Sequence, residues 1–138
     1  MFDAVFIITT TDTECKEKLK KLIECCDLTD VGIENLLRYI NYDVKSLIQP
    51  QDLNLQWDKC AIIITKMGFQ VVKPFLIDLF EWLQDMNWPG ALTIRNFLLT
   101  IPKDEFKQLY CTALNNALKK GDDDWVYNLN LLLNLRDN

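Results

Sequence analysis

Apolar residues return every three or four positions through most of this chain, and the polar stretches between them fall where helices start and stop. Cys15, Leu19, Leu22, Ile23 and Cys26 form the first such stripe, with Lys16, Lys18, Lys20 and Lys21 on the other faces, so an amphipathic helix is expected there. Ahead of it, Thr9 to Thr13 breaks the pattern with hydroxyl and carboxylate side chains suited to N-capping. Residues 2–8, rich in Phe, Val and Ile, fit a short strand, an extended arm or a helix start equally well. Ile33, Leu36, Leu37 and Ile40 predict a second helix that begins under Thr29 or Asp30 and ends at Asn41 to Asp43, with Val44, Leu47 and Ile48 adding a further turn. Gln49-Pro-Gln-Asp52 is a connector, because proline pushes the residue before it out of the helical region. Trp57, Cys60, Ala61, Ile64 and Met67 predict a third helix that stops at Gly68.

The central expectation is a helical hairpin. Val72, Phe75, Leu76, Leu79, Phe80 and Leu83 repeat at helical spacing in a first arm from about Val71 to Gln84, with Pro74 in its first turn. A turn of two or three residues leads to a second arm from Pro89 to about Leu99, and so short a connection permits only an antiparallel pair. Phe106, Leu109, Tyr110, Ala113, Leu114, Ala117 and Leu118 make the cleanest stripe in the chain, closed by Lys119-Lys-Gly121. Asp122-Asp-Asp124 then has the acidic character of a first turn, and Trp125, Val126, Leu129, Leu132, Leu133 and Leu135 complete a last helix. The apolar positions from Val72 to Phe80 also align with those from Phe106 to Leu114 at a constant offset, the period of a two-helix stacked repeat; chance alignment of two stripes competes evenly with true repetition. The expected fold is therefore all-α, with about six to seven helices in antiparallel hairpins stacked as a short HEAT/armadillo-like α-α superhelix.

Composition narrows the function classes. A length of 138 residues suits one domain, 1–138, and 49% hydrophobic with 25% charged residues is ordinary for a globular chain. No apolar run reaches the roughly 20 residues of a membrane span, and the N-terminus carries no basic n-region of a secretory leader. A net charge of −5 opposes nucleic-acid binding, which rests on Lys and Arg, and favours basic partners where it is more than a solubility device. The five cysteines, at 15, 25, 26, 60 and 111, are odd in number and lack a C-x-x-C pair; with no histidine present, reduced thiols in a cytoplasmic protein are expected, and no zinc site. No histidine exists to activate Cys or Ser, and no nucleophile elbow or phosphate-binding glycine pattern occurs, so neither a catalytic residue nor a cofactor is predicted.

Asp78, Glu81 and Asp85 share one face if the helix is regular, and could hold a divalent metal or small ligand; a solvated face is the plainer reading. Asp85 and Asn87 could instead cap the helix expected at Pro89. Trp82 and Trp88 are equally suited to filling the core and to anchoring a contact surface. Asp122-Asp-Asp124 lacks the spacing of a calcium loop, and the lysines at 16 to 21 interleave with Glu14, Glu17 and Glu24 as a mixed solvated face.

Trp82-Leu-Gln-Asp-Met-Asn-Trp-Pro-Gly-Ala91, with Lys66-Met-Gly-Phe, Val72-Lys-Pro-Phe75 and Asp123-Asp-Trp-Val-Tyr127, resembles the bacterial domain-of-unknown-function family 5071 over residues 43–138. The resemblance implies a small HEAT-like helical core at 43–138 and no established activity. Residues 1–42 are then a helical extension capping the array. The expected function is a non-enzymatic module that binds another, basic, protein through Glu81, Trp82, Asp85, Asn87 and Trp88. An immunity-type protein against a basic toxin is one version of this reading. The competing expectation is the ligand or metal site at Asp78, Glu81 and Asp85.

Overall fold

The computed structural model describes the backbone of residues 2–137 and the side chains of residues 14–137. Among the described residues there are seven helices and no strands, as the apolar periodicity predicts. They are α1 (Phe2–Cys25), α2 (Asp30–Tyr39), α3 (Trp57–Met67), a broken helix α4 (Phe69–Gln84), α5 (Ala91–Leu98), α6 (Lys103–Lys120) and α7 (Asp123–Asp137), with one 3-10 turn at Val44–Leu47. The helix-start reading of residues 2–8 is the one observed, and α1 runs on through Thr9 to Thr13, where a break was expected. Threonine is a weaker helix former than alanine by no more than about 0.7 kcal/mol per residue, too little to end a helix alone.

The capping chemistry falls where the side chains place it. Thr29 caps α2 by accepting from the Gly32 N–H at 3.1 Å, and α2 ends as Asn41 and Tyr42 turn left-handed. Gly121, at φ +67°, ends α6. The Asp122 carboxylate accepts from the Trp125 N–H at 3.0 Å and starts α7. With two residues between them, α6 and α7 form an antiparallel hairpin.

The centre departs from the expected hairpin. Gly68 is at once the last residue beyond α3 and the cap of α4, and the chain bends by 109° there. Pro74 lies inside α4 rather than in its first turn. Lacking an N–H, it is accommodated by a switch to 3-10 geometry at Lys73–Phe75, and the final turn Phe80–Gln84 is 3-10 as well. Pro89 precedes α5 instead of starting it; Gly90, left-handed at φ +84°, is the cap. The connection thus spans residues 85–90, and α5 packs chiefly on α3, meeting α4 mainly at its last turn.

Buried positions still recur at the expected offset, pairing Val72, Leu76, Leu79 and Leu83 with Phe106, Tyr110, Ala113 and Ala117, although α6 is a continuous helix and α4 is not. What repeats is therefore the pattern of burial and not the helical pitch.

Hydrogen bonds tie the elements around this core. The Trp125 indole N–H donates to the Phe80 carbonyl at 3.0 Å, and the Asn128 amide to the Leu83 carbonyl at 2.8 Å, so α7 satisfies acceptors that the 3-10 turn of α4 leaves free. Arg136 reaches the end of α5, donating to the carbonyls of Leu98 (3.3 Å), Leu99 (3.0 Å) and Ile101 (2.6 Å) while its guanidinium lies 4.7 Å from the Phe106 ring centre. Lys59 of α3 donates to the Glu24 carbonyl in the last turn of α1, a turn with no basic residue of its own. Among the described residues, no single helix is long and apolar enough to cross a membrane.

Candidate functional site

The residues singled out by sequence do not form one surface. Trp82 is completely buried; its indole N–H donates to the Pro89 carbonyl at 3.0 Å, which makes it the core post holding the turn. Asp85 leaves the helix in an extended conformation, and its carboxylate accepts from the Asn87 N–H at 2.8 Å. It therefore shapes the turn, and it does not cap α5. Glu81 is exposed and lines a small cleft of about 130 Å³ with Asp78, Lys45 and Gln51. Asp85 has no part in that cleft.

This undoes the proposed carboxylate face for a physical reason. Four-residue spacing aligns side chains only at 3.6 residues per turn, and the segment is 3-10 with Asp85 beyond its end. Among the described residues no group of three or more His, Cys, Asp or Glu is placed to hold a metal ion.

Trp88 is the exception, and it leads to a different site. It is half-buried and meets Trp57 edge-to-face, with ring centres 5.6 Å apart and planes at 86°; Trp57 in turn meets Trp82 at 6.3 Å and 80°. Trp57 and Trp88, together with Leu28, Leu53, Ile62 and Pro89, line an open groove of about 710 Å³, with Asp58 and Lys59 also in its wall. Leu53 is 90% exposed at its edge.

The groove is held from below by the connector that precedes α3. Gln49 is buried, and its side-chain carbonyl accepts from the N–H groups of Gln51 (2.9 Å) and Asp52 (2.8 Å). The Asp52 carbonyl then accepts from the Trp57 indole N–H at 2.8 Å. A buried amide thus orders a loop, the loop orients Trp57, and Leu53 is left in water at the loop's surface. Lys59 donates to the Glu24 carbonyl and keeps its positive charge, so this wall offers a ligand one carboxylate, Asp58, beside one hydrogen-bonded ammonium.

Sequence reasoning missed Leu28, Leu53 and Trp57 as site residues. One signal was available: Leu53 stands in a polar connector where no helical stripe claims it.

The thiols do not supply a nucleophile in this wall. Cys60 lies fully buried on α3, and burial, with the charge of Asp52 adding to it and the Gln49 hydrogen bond opposing, pushes its thiol up to about 12. That is opposite to the shift of an activated cysteine. Because the folded chain holds this proton more tightly than the unfolded one, stability is complete below about pH 9 and falls as the pH rises toward 12. Urea titrations should show a loss of about 1 kcal/mol between pH 9 and 10 that Cys60→Ala removes. An unchanged slope in the variant would mean the thiol ionises freely in the fold.

A model of the family described as "Domain of unknown function (DUF5071)" matches residues 58–136, beginning later than the 43–138 expected from the motifs. No curated protein and no solved structure matches the chain. The matched span holds Asp58, Lys59, Ile62, Trp88 and Pro89 of the groove, while Leu28, Leu53 and Trp57 precede it.

Proposed function

Since the chain belongs to the DUF5071 family, whose description assigns no activity, we propose its function from the groove alone: it is a non-enzymatic module that binds a basic segment of another protein. The observation that carries this reading is the Trp57–Trp88 wall facing a nearly fully exposed Leu53. Aromatic walls flanking an open apolar floor are where a partner's aliphatic or aromatic side chain gains most from leaving water. Asp58 and the ammonium of Lys59, bonded to the Glu24 carbonyl, both stand beside that floor, and it is the chain's net charge of −5 that favours lysine or arginine next to the anchor. An immunity-type protein holding a basic toxin domain is the concrete form of such a pairing.

Panning a random-peptide library against the chain tests this. Enriched peptides should carry an apolar anchor flanked by Lys or Arg, and Leu53→Asp or Trp88→Ala should weaken them at least about tenfold while the circular dichroism of the fold is unchanged. Acidic or anchorless peptides, or binding indifferent to both substitutions, would refute the proposal.

A further inference from the structure

A second cleft, of about 580 Å³, lies between α6 and α7, and its chemistry is unlike that of the groove. That volume falls within the roughly 300–1,000 Å³ of small-molecule sites. Lys103, Lys107 and Arg136 line the cleft with one carboxylate, Asp137, around an apolar floor of Phe106, Tyr110 and Leu133. Three cations to one acid reverses the balance of the whole chain, whose net charge is −5.

The fold gives no reason for the two lysines. Lys103 opens α6, where the helix dipole is positive, and Lys107 follows four residues later on the same face, so the two ammoniums also repel each other. Among the described residues neither has a hydrogen-bond or ion-pair partner, and Glu105 of the same turn is engaged by Lys73 at 3.7 Å. Arg136 adds a third charge. Its fork grips neutral carbonyls and lies over the Phe106 ring, so nothing in those contacts cancels it. The floor is fixed as well: the Phe106 and Tyr110 rings stack with centres 5.8 Å apart, and the Tyr110 hydroxyl donates to Asn130 Oδ1 of α7 at 3.2 Å.

We propose that this cleft binds a small organic anion, its apolar body on the floor between the helices and its single anionic group shared by the ammoniums of Lys103 and Lys107. Side chains four residues apart stand about 6 Å apart along the helix axis, close enough for both to reach one anionic group. An acidic peptide, with charge spread along its length, would need a longer row of cations. Carboxylates and phosphate monoesters both meet this description. The cleft shares no lining residue with the groove, so the two proposals stand or fall independently.

Isothermal titration calorimetry on the full chain, with naphthoate and naphthyl phosphate as probes, tests this. The tighter of the two, which identifies the anionic group, should bind at least about tenfold better than uncharged naphthalenemethanol and than acetate or inorganic phosphate, which lack the apolar body. Lys107→Glu should weaken that probe at least about tenfold with unchanged circular dichroism, while Lys107→Arg should stay within about threefold of the wild type. Leu53→Asp, in the groove, should bind like the wild type. Should Lys107→Glu disturb the fold, Lys103→Glu replaces it with the same expectation. No heat from either probe at millimolar concentration, an uncharged naphthalene that binds as tightly, or binding that survives charge reversal would each overturn the proposal. Binding lost in Leu53→Asp, or a polyglutamate peptide preferred to both probes, would do the same.

Discussion

Gly90→Ala is expected to destabilise the fold by about 3 kcal/mol, seen as a lower urea midpoint at unchanged slope. Two effects act at this residue. Its φ of +84° is left-handed, which an L residue occupies at a cost of roughly 1–2 kcal/mol. An added Cβ would also stand 2.9 Å from the Ala61 Cβ, 2.9 Å from the Trp57 carbonyl oxygen and 3.0 Å from Trp82 Cζ2. Ala61 and Trp82 are completely buried and the carbonyl belongs to a helix, so nothing there can move cheaply. Gly121→Ala separates the two effects, because Gly121 is left-handed at φ +67° with nothing within 4 Å of the new atom. It should cost only about 1 kcal/mol, and similar losses at both glycines would show that close approach at Gly90 contributes nothing.

Arg136→Ala should cost about 2–3 kcal/mol, the range for hydrogen bonds from a charged donor to acceptors left unpaired by its removal. Three carbonyls, of Leu98, Leu99 and Ile101, lose their donor together, and Phe106 loses the cation over its ring. Because the partners are carbonyls and a ring, the loss should persist at high salt, where an exposed ion pair would fade. Arg136→Lys should recover less than half, since a single ammonium cannot reproduce the planar fork. Full recovery by lysine, or a loss that disappears in salt, would reduce the contact to bulk charge.

These two positions also show why only part of the molecule was legible beforehand. Helix ends set by one side chain or one glycine, as at Thr29, Gly121 and Asp122, are local events, and local chemistry is written in adjacent residues. The break in α4 is not local. Pro74 could be read as a first-turn proline or an interior one, and the Phe80 and Leu83 carbonyls in the 3-10 turn that ends the helix are satisfied by Trp125 and Asn128 from far along the chain. Once that segment is 3-10, face arguments built on 3.6 residues per turn fail, and Asp85 parts from Asp78 and Glu81, which still share one cleft. The groove was hidden for a related reason. Leu28 and Leu53 come from connectors that carry no periodicity, Trp57 counted only as part of the α3 stripe, and of the five expected contact residues only Trp88 lies in the groove.

Arg136 has one more effect. The last helix is pinned near its start by the Trp125 indole and near its end by the Arg136 fork, so its backbone cannot swing between two anchors about three turns apart. Whatever enters the cleft beside it therefore meets a stiff wall. Helix ordering, which often consumes much of the gain on binding, has already been settled during folding. Even a small ligand can hold against this wall, and its speed of entry should be governed by collision and orientation, with no slow rearrangement to follow.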